Sequence, residues 1–170
     1  STNAEALLNT GFGLKATGGA VYLMGHQPNG ISLLGAVNFG LQIEGYTVAR
    51  SGANFVLAYA TPGSANIGVS TADPMMLRIN EWMPRPSSGN DWFEIFNPHN
   101  QPVALGGLFL TDNLNDRFKH QIPALSFIGG GTNGYVKFIA DNVVVADGGA
   151  DHVAFKLDNA AESLGLFTAE

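Results

Sequence analysis

The chain contains no cysteine. That excludes a disulfide framework and a thiolate metal site, and it leaves the compartment open. Charge is scarce as well: 13% of the 170 residues are charged, with 8 basic against 14 acidic, for a net charge of −6. No basic patch can form to meet phosphates, so nucleic acid is excluded as a partner. No run of 18 apolar residues occurs, so no membrane-spanning helix is predicted. A long amphipathic helical period is missing too. His26, His99, His120 and His152 are scattered, without the His-x-x-x-His spacing that brings zinc ligands together. There is no Gly-x-Ser-x-Gly elbow. Gly11-Phe-Gly13 lacks the rest of a dinucleotide fingerprint, and Gly129-Gly-Gly131 lacks the lysine of a phosphate loop. Ser1 to Glu5 lacks the charged and apolar parts of a secretion signal, which bears little on a chain read as a piece of an array.

Hydrophobic residues make up 45%, which argues against disorder. With 22 glycines, 8 prolines and 11 phenylalanines, the composition predicts an all-β protein with many turns. One segment occurs twice. Phe12, Leu14, Val21 and Leu23 recur, without a gap, as Phe155, Leu157, Leu164 and Leu166. Self-similarity of this kind is the mark of a tandem array, here cut out of phase.

Short strands are predicted throughout. Phe12 to Leu23 and Ile31 to Phe39 flank Pro28-Asn29-Gly30, a tight hairpin signal. Tyr46 to Arg50 and Asn54 to Tyr59 flank Ser51-Gly52. A small, polar linker runs over 68–76. Further strands follow at Leu77 to Trp82, Asp91 to Phe96, Val103 to Leu105, Leu108 to Leu110, Phe118 to Ile122 and Tyr135 to Ile139. A valine-rich hairpin is expected over 141–147. Trp92, Phe93, Phe96, Phe109 and Phe118 are the expected core aromatics.

Ile79-Asn80-Glu81, Asp91-Trp92-Phe93-Glu94-Ile95-Phe96-Asn97-Pro98, Leu105-Gly106-Gly107-Leu108 with Asp112, and Ile122-Pro123 resemble the opening part of a bacterial lamin tail domain. Phe12 to Leu23, Val48-Ala49-Arg50 and Thr61-Pro62-Gly63-Ser64-Ala65-Asn66 resemble its closing part. The parts stand in swapped order. Trp82 departs from the family's small aliphatic residue, and Ala49 from its glycine. The resemblance implies an immunoglobulin-like β-sandwich, circularly permuted, as a single unit over 1–170. Residues 11–67 would supply the closing strands of one repeat and 77–170 the opening strands of the next. It also implies a non-catalytic spacer, tether or protein-interaction module of a larger bacterial extracellular or surface protein. The alternative is a carbohydrate- or calcium-binding accessory module beside a secreted hydrolase.

Neither half alone would complete a sandwich, so the halves are expected to share a core. The 14 residues from Thr61 to Pro74 reach ~46–50 Å when extended, and a domain of this size is roughly 30–35 Å across. Closure within one chain, as a monomer, is therefore favoured over a strand-swapped dimer.

Candidate sites are few. Arg50 lies among apolar strand residues and is expected to pair with Glu94 or Glu81, since an unpaired buried guanidinium is costly. Glu81, Asp91 and Glu94 could instead serve an enzyme as acid and base, if they converged in a cleft. Asp112, Asn115 and Asp116 carry oxygen ligands of the kind calcium takes, but without EF-hand spacing, and such residues also simply favour turns. No cofactor is otherwise expected. Trp82 is the candidate platform for a sugar ring.

Overall fold

The computed structural model describes residues 10–143 and 149–169. The expected valine-rich hairpin over 141–147 falls largely outside them. The chain is all-β, with fourteen short strands in five sheets and almost no helix among the described residues. Among the described residues, helical turns are single 3-10 turns such as Pro74–Met76, where the Asp73 carboxylate accepts the Met75 N–H at 2.9 Å.

Strands β1 (Gly19–Gln27) and β2 (Gly30–Phe39) form an antiparallel hairpin of their own. Gln27 pairs with Gly30, so Pro28 and Asn29 alone make the turn. Gly30 has φ +130°, which a side-chain-bearing residue rarely adopts. A bulge after Leu23 folds Leu34 across Gly25, where a Cβ would meet Leu34 Cδ1 at 2.8 Å. β3 (Thr47–Ser51), β4 (Asn54–Tyr59) and β5 (Ile67–Gly68) form a second small sheet.

The rest of the chain builds the core. β6 (Arg78–Met83), β7 (Asp91–Phe96), β12 (Tyr135–Ala140) and β13 (His152–Val153) form a four-stranded sheet in the order β13-β12-β7-β6. β12 and β13 run parallel, and the other pairs run antiparallel. β8 (Val103–Ala104) pairs with β11 (Phe127–Ile128). β9 (Phe109–Thr111) lies between β10 (His120–Gln121) and β14 (Gly165–Phe167). Alternation of side chains along β7 sends Phe93 and Ile95 inward, where both are fully buried. They meet Phe138, Val103, Leu105, Leu110, Ile122, Ile128 and Phe155 in one cluster. The Phe93 ring stacks on Phe138 at 5.4 Å and on Phe155 at 6.0 Å.

The expected core aromatics need correction. Only Phe93 of the five is buried. Trp92 and Phe96 lie on the other face of β7, under Lys137 and Tyr135. Phe118 is 61% exposed and meets Phe109 edge-on at the surface. Strand alternation decides this, because the inward positions of β7 go to Phe93 and Ile95.

The two halves share less than expected. Among the described residues, no strand of β1–β5 pairs with any of β6–β14, and Leu41 is the one residue of 11–67 within the main cluster. The joint is a short clasp, helped by one more bond, from the Ala150 N–H to the Thr17 carbonyl. Gly40 N–H donates to the Ala124 carbonyl at 3.0 Å and Phe127 N–H to the Leu41 carbonyl at 2.9 Å. Leu41 N–H donates to Ser126 Oγ at 3.1 Å, and Gln42 Nε2 to the Leu125 carbonyl at 2.8 Å. Only glycine fits at position 40, since a Cβ there would collide with Ser126 Oγ. The linker attaches once more, through a parallel bridge from Ala72 to Val103.

Candidate functional site

Arg50 does not meet Glu94 or Glu81. It is exposed on β3, with its guanidinium over the Phe55 ring at 4.6 Å. The physical reason is the separation of the sheets: β3 and its neighbours pair with none of the strands that carry the acidic residues. Glu94 instead accepts a hydrogen bond from Asn80 Nδ2 at 2.7 Å. A bulge at Asn80 makes this contact, since Ile79 pairs with Ile95 and Glu81 with Glu94. Glu81 is exposed beside Glu94, while Asp91 begins β7 opposite Ala140.

The loop after β9 is tied by its own side chains. Lys119 Nζ holds both oxygens of Asp112, at 2.5 and 2.7 Å. Asn113 Oδ1 accepts the Asn115 N–H at 3.0 Å, an Asx turn, and Thr111 Oγ1 accepts the Asn113 N–H at 3.0 Å. Asn115 and Asp116 are exposed. Asp112 is thus already neutralised by a cation of the protein.

Trp82 is where the sequence put an exposed aromatic. It is 61% exposed near the end of β6. Together with Ile79, Pro84 and the loop from Leu157 to Leu164 it lines an open hollow of about 460 Å³. The loop contributes Asp158, Asn159 and Glu162. Glu162 accepts the Asp158 N–H at 2.7 Å, and partial burial raises its pKa above the ordinary carboxylate value.

One exposed apolar surface was not singled out in the sequence. Tyr22, Leu23, Met24, Ile31, Leu33 and Leu34 of the hairpin are all more than half exposed. Cross-strand partners share a face. Tyr22 with Ala36, Met24 with Leu33 and His26 with Ile31 make one face; Val21 with Val37 and Leu23 with Gly35 make the other. Both faces are therefore apolar, the pattern of strands buried on both sides. The available signal was the absence of polar alternation between Ile31 and Val37.

A third place holds two histidines. His152 Nδ1 lies 2.8 Å from Asp141 Oδ2, which Asn90 Nδ2 also reaches at 3.2 Å. His120 Nδ1 accepts the Ala154 N–H at 3.3 Å, and its Nε2 is buried without a partner among the described residues. Burial lowers the His120 pKa. The folded state therefore holds His120 neutral where the unfolded chain protonates it. Its contribution to stability is full above the ordinary histidine value and is lost as the pH falls through the folded pKa. The expected result is a Tm that declines on acidification below about pH 6.5. In His120→Asn, whose side-chain oxygen can still accept the Ala154 N–H, that part of the decline should vanish. An unchanged Tm-against-pH curve in the variant refutes the assignment.

Comparison with family models, with curated proteins and with solved structures finds no match.

Proposed function

We propose that this chain is a non-catalytic, immunoglobulin-like module of the lamin-tail type. Its role is protein interaction or tethering within a larger bacterial extracellular or surface protein. The observation that carries the reading is the β1–β2 hairpin, which stands beside a filled core with apolar side chains on both faces. A lone two-stranded hairpin is marginal in water and gains stability from a further strand or an apolar cover. Patches of this kind mark interaction sites. A second reading, carbohydrate binding, is favoured by one observation: the exposed Trp82 ring beside a hollow edged with carboxylates and an amide. Flat apolar rings suit the faces of sugars, and the polar rim suits their hydroxyls.

One comparison separates the two. At a concentration low enough to keep copies of the chain apart, the wild-type chain is expected to enhance the fluorescence of an apolar dye such as ANS. The double variant Leu23→Ser/Leu33→Ser should lose that signal while Tm stays within about 2 °C, as for surface substitutions. A wild-type chain that binds no dye overturns the interaction reading. So does a double variant that loses dye and Tm together, since its hairpin would belong to the core. The carbohydrate reading instead requires oligosaccharide-dependent tryptophan quenching that Trp82→Ala abolishes.

A further inference from the structure

The two copies of the repeated segment have opposite fates. Phe155 and Leu157 are 2% and 9% exposed within the core, and Leu164 and Leu166 pack against it. Their counterparts Phe12, Leu14 and Leu23 are 64%, 64% and 62% exposed. Pairing differs in a complementary way. In the second copy, Gly165, Leu166 and Phe167 pair with Thr111, Leu110 and Phe109 of β9, and the far edge of β14 carries no strand among the described residues. In the first copy, the equivalent residues Tyr22, Leu23 and Met24 pair with β2, and the far edge of β1 carries none. One strand pattern is thus seen once with a β9 neighbour and once with a β2 neighbour.

Resting on the interaction reading above, we propose that the occupant of the hairpin is a second copy of this chain. In this arrangement β1 of one copy lies beside β9 of another, in the place of its β14. Phe12, Leu14, Val21 and Leu23 enter the positions of Phe155, Leu157, Leu164 and Leu166. The gain comes from β2. It travels with β1 and extends the three-stranded order β10-β9-β14 to four, β10-β9-β1-β2, while residues 155–167 of the accepting copy give up their place. The contact is head-to-tail, because the donor surface is the hairpin and the acceptor surface is β9.

One position resists. Tyr22 would take the place of Gly165, where a Cβ comes within 3.1 Å of Leu114 Cδ2 and 3.2 Å of Thr111 Cγ2. The closest obstacle there is the Phe167 ring, which the exchange replaces with Met24. Leu114 is half exposed and can turn aside, whereas Thr111 is fully buried, so the tyrosine is a cost to the exchange that Tyr22→Gly removes.

The absence of native cysteine makes the test clean. Met24→Cys and Phe109→Cys are made in separate preparations, checked for unchanged Tm, mixed and oxidised. The expected product is a disulfide dimer of twice the chain mass, with no dimer when Leu33→Cys replaces Met24→Cys, since β2 lies one strand further from β9. Adding Tyr22→Gly to the Met24→Cys chain should raise the yield. If Phe109→Cys fails to fold, the same register is tested with Tyr22→Cys and Thr111→Cys. No dimer from either pair overturns the proposal, and so does equal dimer from Leu33→Cys. Such a failure would leave the dye result untouched, so loss of the partner and loss of the interaction surface are told apart.

Discussion

Replacing Phe155 with alanine destabilises the protein by about 3–5 kcal/mol, as for large aromatic residues in cores, while the same change at Phe12 leaves stability nearly unaltered. The two residues hold matching places in the repeat, so sequence alone gives no reason for a difference. Phe155 is 2% exposed and stacks on Phe93, which in turn stacks on Phe138. Its removal opens a cavity at the end of an aromatic stack whose members cannot collapse freely, because the strands beside them fix their positions. Phe12 is 64% exposed and gives up little when truncated. For a chain of 170 residues the core loss corresponds to a fall in Tm of roughly 10 °C. Thermal unfolding at low concentration reads both variants. Equal losses at the two positions would show that the copies share one environment and would contradict the fold described.

Asn97→Ala is the second large effect. Asn97 is 1% exposed at the end of β7. Its amide donates to the Gln101 and Gly129 carbonyls at 2.8 and 2.7 Å, and its oxygen accepts the His99 N–H at 3.0 Å. One side chain thus joins the turn after β7 to the segment that follows β11. Alanine leaves these backbone groups without partners, and each buried orphan costs about 1–3 kcal/mol. With some of them re-hydrated, a total near 3 kcal/mol is expected. Asn97→Asp separates bonding from packing. It keeps the size and the acceptor for His99 but turns a carboxylate toward two carbonyls, so it should be no more stable than Ala. Chemical denaturation of the three proteins checks this, and an Asp variant close to wild type would show that the amide contacts contribute little.

Much of the strand pattern was legible, and for local reasons. Pro28-Asn29-Gly30 and Asp91 to Phe96 announce a turn and a core strand through φ preference and apolar density, which need no knowledge of the rest of the chain. The partition into sheets was not legible. Arg50 was expected to meet Glu94 because each sits on an apolar strand, yet pairing depends on which strands are neighbours, and β3 never meets β7. Phe118 was read as core from its type, but β10 begins two residues later and leaves it outside. Trp82, the expected sugar platform, is an exposed aromatic on β6. The apolar hairpin escaped notice as a surface, since a strand apolar on both faces reads as interior until the neighbours are counted.

The clasp at Gly40 to Gln42 has a mechanical consequence. Tension drawn along the chain from the hairpin side meets these few hydrogen bonds, the Thr17–Ala150 bond and one leucine before it reaches any strand of the main sheet. The clasp therefore acts as a fuse. It opens at the low free energies of local unfolding while the body keeps its fold, and hydrogen exchange would separate the amides of residues 19–42 from those of β7 and β12 into two classes.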